Sequence, residues 1–169
     1  LPAALNRAGV TPVLRGDPPP GLSVSRGGVG VTLTDLVQTY AALARLGDPI
    51  RLSVLPDNAA PLLQPLFGRE AAWMVGNILS GLAPPPNAPP NRLAYKTGTS
   101  YGHRDAWAVG FDGAHVAGVW MGRADGSSVP GAFGGDLAAP ILFEVFGRIA
   151  PDLAADPSTA PFVNPPAAV

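Results

Sequence analysis

Proline sets the hardest limit on what this chain can fold into. It occupies 21 of 169 positions, and glycine occupies another 21. Each proline fixes φ and removes a backbone donor, so regular structure is confined to the stretches between them. From Leu1 to Gly30 the signals are short and broken by Pro2, Pro12, Pro18, Pro19 and Pro20, which predicts loop with little regular structure. The run from Pro84 to Pro90 predicts an extended connector across the surface.

Between these interruptions the apolar residues fall into two periods. Leu33, Leu36, Val37, Tyr40, Ala41 and Ala44 recur at helical spacing behind a Thr32 and Asp35 capping box, which predicts a helix over 34–46 that stops at Gly47. Ala71, Ala72, Val75, Ile78, Leu79 and Leu82 predict a second over 69–82. Leu142, Phe143, Phe146 and Ile149 predict a last one over about 138–149, with Pro140 in its tolerated first turn. In the middle the period drops to two. Leu93, Tyr95, Thr97 and Thr99 alternate with Ala94, Lys96 and Gly98, which predicts a strand. Trp107, Val109 and Phe111 alternate next, Asp112-Gly113 signals a two-residue hairpin turn, and Val116, Gly118 and Trp120 alternate on the return. The expected hairpin covers about 106–122.

Composition bounds the rest. With 47% hydrophobic residues, 14% charged ones and a mean hydropathy of +0.22, the chain can bury a core, and its length fits one domain. We expect that domain over 1–150 and a Pro/Ala-rich tail or linker over 151–169. A net charge of −1 provides no basic field, so nucleic acid is not an expected partner. The absence of cysteine excludes disulfides, thiolate metal sites and a cysteine nucleophile. No apolar run approaches the roughly 20 residues of a membrane helix, so no direct membrane contact is expected from this segment. The first residue is Leu1 with no signal-like stretch after it, and the expectation is that any targeting segment or anchor lies outside the sequence.

One cluster carries chemistry. Lys96 is the only lysine beside ten arginines, and it sits in Tyr95-Lys96-Thr97-Gly98-Thr99-Ser100 on the predicted strand. An ammonium next to two hydroxyls and a glycine gives a surface on which an extended peptide can lie close, with its carboxylate held by charge and hydrogen bonds. Such a strand binds its ligand as one more strand.

Lys96-Thr97-Gly98 resembles the third box of penicillin-binding proteins and serine β-lactamases. The likeness widens through Thr99-Ser100-Tyr101-Gly102 and the run from Arg104 to Gly113, which look like the transpeptidase domain of class A penicillin-binding proteins. The stretches 27–37 and 40–44, then 118–123 and 139–143, continue it, so the resemblance covers roughly Leu1 to Pro151. It implies a mixed α/β (α+β) fold of the β-lactamase/transpeptidase type, an antiparallel sheet flanked by helices, of which this chain is the C-terminal part. It implies catalytic roles for Lys96, in proton traffic, and for Thr99, whose backbone N–H would be an oxyanion donor. Thr97, Gly98, Thr99 and Ser100 would contact substrate, with the hydroxyls of Thr97 and Thr99 on a carboxylate. It also implies peptidoglycan stem peptides and β-lactams as ligands, an extracytoplasmic setting on the periplasmic face of the inner membrane, and no cofactor or metal.

The family's other two boxes are absent. Its nucleophile lies in Ser-x-x-Lys, and the residue three before Lys96 is Leu93; no serine here has an asparagine two places on, so Ser-x-Asn is missing too. The chain alone is therefore expected to be inactive, the nucleophile belonging to a missing N-terminal part, with a glycosyltransferase domain in the parent protein. A β-lactamase or D,D-carboxypeptidase fragment, in which water accepts the acyl group, is a rival reading. A non-catalytic penicillin-binding-like module is another.

Neighbouring residues have plainer readings. Ser100 near His103 and Asp105 does not make a triad by spacing, and a hydrogen-bonding serine is expected. His103 with Asp105 offers too few ligands for a metal. Asp105 is expected to anchor the turn after the strand, and Trp107 and Trp120 to pack in the core. The strand ending at Gly122 is expected to expose an unpaired edge.

Overall fold

The computed structural model describes residues 2–13, 21–22, 24, 28–55, 65–88 and 93–149. The expected tail over 151–169 and part of the proline connector lie outside them. Helices α1 (Pro2–Arg7), α2 (Leu33–Ala44) and α3 (Arg69–Ser80) come first, followed by strands β1 (Ala94–Thr99), β2 (Asp105–Phe111) and β3 (Val116–Gly122). A π-helical turn, Gly134–Ala138, then leads into α4 (Ala139–Ile149).

The strands form one antiparallel sheet in the order β1-β2-β3, with Lys96 opposite Val109, Gly98 opposite Trp107 and Trp107 opposite Trp120. Side chains alternate across such a sheet. Tyr95, Thr97 and Thr99 therefore share the back face with Ala106, Ala108 and Val119, while Lys96 and Gly98 share the front face with Trp107, Val109 and Trp120. The alternation in the sequence predicted this sidedness. Among the described residues β3 pairs only with β2, so it is an edge strand as expected.

The back face is closed by α4. Leu93, Tyr95 and Ala108 meet Leu142, Phe143 and Phe146 in the main core, and the Tyr95 ring stands edge-on to Phe143 at 5.0 Å. Burying one such aromatic or leucine side chain contributes about 1.5–3 kcal/mol. The Tyr95 hydroxyl, at the rim, donates to the Ala83 carbonyl.

On the front face α2 crosses β3 at Gly118, where a Cβ would stand 2.7 Å from Val37 and 3.0 Å from Leu33. Only glycine allows that approach. Leu43 of α2, Ala72 of α3, Ala94 and Phe111 form a second core cluster, with Tyr40 edge-on to Phe111. The capping box expected from Thr32 and Asp35 is present at the start of α2.

Three expectations need correction. The first segment is not all loop: Pro2–Arg7 is helical, because Leu5, Ala8 and Val10 are buried and Ala8 packs with Ala42 and Leu66. The hairpin loop spans four residues, Asp112 to His115, since the Asp112 carboxylate accepts from the Ala114 and His115 amides at 2.6 Å and holds a wider turn. Trp107 and Trp120 are not core residues. They face the side where the sheet is only partly covered, 6.2 Å apart, and Trp120 is 37% exposed.

Candidate active site

Among the described residues β1 pairs only with β2, and Lys96 projects from its front face into a cleft of about 400 Å³. One wall of the cleft is the sheet, with Lys96, Gly98 and Trp107; the other is built from Val31, Leu36 and Tyr40. The approach to α2 is fixed by a two-hydrogen-bond bridge between Val13 and Gly30, each 2.8 Å, which holds the chain just before the helix. Burial pushes the Tyr40 hydroxyl above its usual value near 10, so it enters the site as a neutral phenol at physiological pH. The Lys96 ammonium is exposed and donates to the Thr97 carbonyl at 2.8 Å. This bond is local and leaves two ammonium protons for a ligand.

Gly98 and Ser100 line the same cleft; Thr97 borders it too, although the alternation puts its side chain on the back face. Thr99 lies on the opposite face, where its hydroxyl accepts from the Gly134 N–H at 3.1 Å. Ser100 is committed to the turn: its Oγ accepts from the Asp105 N–H at 2.8 Å, and its N–H donates to the Asp105 carbonyl at 3.0 Å. Asp105 therefore anchors the turn, as expected, through its backbone. Its carboxylate accepts from the Trp120 indole N–H at 2.9 Å and so holds the ring beside Trp107.

His103 takes no part in a triad. It sits in the left-handed region at φ 54°, with Nδ1 3.3 Å from the Ala132 carbonyl oxygen and its ring edge-on to Phe133. Among the described residues no group of three or more His, Cys, Asp or Glu could hold a metal, and no helix is long and apolar enough to cross a membrane.

A larger cavity, about 600 Å³, opens at the other end of the sheet between Arg45, Trp73 and His115. Its carboxylate, Asp112, is tied to the hairpin amides and to His115. The cavity has no counterpart to the lysine and hydroxyls of β1.

Sequence reasoning found the β1 residues but not Val31, Leu36 and Tyr40 across the cleft, nor Gly134 behind Thr99. Leu36 and Tyr40 were readable only as members of a helical stripe, and nothing local marks which stripe residues border a cleft.

No family model matches the chain. Penicillin-binding protein 1C of Escherichia coli K12 is 42% identical to it over 150 residues, spanning 85% of this chain and 19% of that protein. Penicillin-binding protein 1B of Vibrio cholerae is 30% identical over 140 residues, 73% of this chain and 18% of that protein. The chain thus spans about a fifth of the length of these relatives. In structure it is similar to PonA1 of Mycobacterium tuberculosis, solved in complex with penicillin V, with a TM-score of 0.60 and 18% identity over 85% of this chain and 49% of that one. That likeness establishes the fold, and the expected α/β architecture is the one observed. The relatives are class A penicillin-binding proteins, and with 42% identity over most of its length this chain corresponds to a portion of their sequence.

Proposed function

We propose that this chain supplies the substrate strand of a peptidoglycan D,D-transpeptidase. The observation that carries the reading is the Lys-Thr-Gly box on strand β1, with Lys96 facing an open cleft. In the complete site a serine attacks the carbonyl of a stem peptide, D-alanine leaves, and an amine of a neighbouring strand accepts the acyl group. Lys96 holds the anionic end of the substrate and supports proton transfer. Its compact ammonium suits a carboxylate that must be released again. Gly98 lets the substrate backbone approach β1, and Thr97 and Thr99 contribute their backbone there, because their side chains lie on the face away from Lys96.

The Thr99 N–H serves as one oxyanion donor, and loss of such a donor costs about 3 kcal/mol in the transition state. Ser100 shapes the end of the strand through the turn it closes. β-Lactams bind the same strand because their carboxylate and acyl carbonyl present the same two groups; the penicillin V complex of the PonA1 relative supports this. The site works outside the cytoplasm, where peptidoglycan is cross-linked.

The serine nucleophile is not in this chain, which has neither Ser-x-x-Lys nor Ser-x-Asn. Leu1–Val169 alone forms no acyl-enzyme. That absence also favours one second reading, a penicillin-binding-like module without catalysis. Reading the encoding frame upstream of Leu1 separates them. A Ser-x-x-Lys followed by Ser-x-Asn supports the transpeptidase, and an open frame lacking both overturns it. Product analysis with the full gene product separates amine from water as acceptor, and so excludes a β-lactamase or carboxypeptidase.

A further inference from the structure

β1 poses a mechanical problem. Its front face looks into an open cleft, one of its backbone edges is unpaired among the described residues, and it runs straight into a turn after Thr99. The ends of edge strands are the parts of a sheet that open most easily. Yet groups that hold a reacting carbonyl must stay within about 0.5 Å of their working position.

Beyond its pairing with β2, the end of β1 is supported from behind. Buried Gly134, the first residue of the π-helical turn, donates its N–H to Thr99 Oγ at 3.1 Å. Its Cα lies so close to the sheet that a Cβ there collides with the Gly98 carbonyl oxygen and stands 2.5 Å from that of Trp107. The backbone of the turn thus rests directly on the backbone of β1 and β2.

Gly134 is itself held on both sides. Its carbonyl accepts from the Ala139 N–H across the wide turn, and the Phe133 carbonyl accepts from the Asp136 and Leu137 amides. Before it, Phe133 packs edge-on against His103, and the Val129 N–H donates to the His103 carbonyl at 2.8 Å. The 129–134 segment is therefore stitched to the same β1–β2 turn that it supports.

We propose that Gly134 is a positioning residue for acyl transfer on β1, acting through Thr99. By donating to Thr99 Oγ, Gly134 ties the end of β1 from behind and so fixes where the Thr99 N–H stands, while the close backbone contact sets how far Gly98 and Thr99 can recede from the cleft. Even an alanine at 134 has no room unless the turn moves off the sheet. This inference rests on the transpeptidase reading and adds to it a residue outside the three family boxes.

The test uses the full product of the encoding frame, a fluorescent penicillin, and stopped-flow separation of the pre-acylation affinity from the acylation rate constant. Thr99→Ser keeps the Oγ that Gly134 addresses, and Thr99→Val removes it. The expected result is a loss of about tenfold or more for Thr99→Val and for Gly134→Ala, read in the rate constant rather than the affinity, with Thr99→Ser recovering most of what Thr99→Val loses. Hydrogen exchange at the amides of β1 should accelerate in the Gly134→Ala protein while α4 stays protected. If Gly134→Ala fails to fold, the Thr99 pair decides. Wild-type rate constants in Thr99→Val, or failure of Thr99→Ser to restore them, overturn the positioning role. A folded wild-type product that never acylates overturns the transpeptidase reading itself, and the positioning role falls with it.

Discussion

The two faces of the sheet are built to different standards. Behind it, Leu142, Phe143 and Phe146 are at most 1% exposed and close a dry core against Tyr95 and Ala108. In front, Lys96 is exposed, Trp107 is half-buried, Trp120 is 37% exposed and a cleft of about 400 Å³ remains. The same three strands thus carry a dry core on one side and, in the proposed function, the ligand site on the other. The division is physical: a site that must admit a peptide forgoes the burial that would stabilise it, so the opposite face has to provide rigidity. The caps tell the same story. α2, on the front, has a full capping box, whereas the π turn before α4 has no side-chain cap and is held by packing.

The largest expected effect tests the contrast directly. Phe143→Ala should cost about 3–5 kcal/mol in urea unfolding, since it opens a cavity beneath Tyr95. Trp120→Ala on the front should cost under about 1 kcal/mol, the size of a cross-strand pair at a partly exposed position. Equal costs for the two would remove the distinction between the faces.

A middle-sized effect concerns how the front layer is tied together. Gln38 is 8% exposed; its side-chain amide donates to the Ala8 carbonyl at 2.5 Å and accepts from the Leu52 N–H at 3.2 Å. It clips the residues after α1 and the segment after α2 to the same helix. Gln38→Ala should cost about 1–3 kcal/mol by stranding both partners, and amide exchange should rise at Leu52 before it rises in α4. Simultaneous loss in both layers would show that the front is no more dependent on polar ties than the back. The smallest effect belongs to the cap. Thr32→Ala should cost about 1 kcal/mol and fray the start of α2, which circular dichroism and exchange at the Asp35 amide can follow. A cost near zero would mean that Val37 and Leu33 against Gly118 already hold the helix.

Much of this was legible in the sequence. The stripes of α2, α3 and α4 and the alternation of β1 specify which residues face a core, and the Lys96 box marks β1 as the strand of the proposed site. What was hidden depends on contacts across long sequence separations. α1 is too short to be stable by itself and forms because Ala8 meets Ala42 and Leu66, although Pro2 at its start and Gly9 at φ 77° just after it are the ordinary start and stop residues. The tryptophans read as core because alternation gives a face but not its cover. Nothing local in the sequence marks Gly134, since the bond it makes to Thr99 spans 35 positions. The width of the hairpin turn was set by the Asp112 carboxylate, which a two-residue turn cannot use in this way.

The central claim is that the Lys96 face of β1 is the working face of a penicillin-binding site. The measurement that tests it most directly is fluorescent-penicillin acylation of the full gene product, wild type against Lys96→Ala, with folding checked by thermal unfolding. The account predicts covalent labelling of the wild type and a loss of about a hundredfold or more in Lys96→Ala, as for removal of a proton-transfer group, at nearly unchanged melting temperature because Lys96 is exposed. Labelling of Lys96→Ala at the wild-type rate would contradict it.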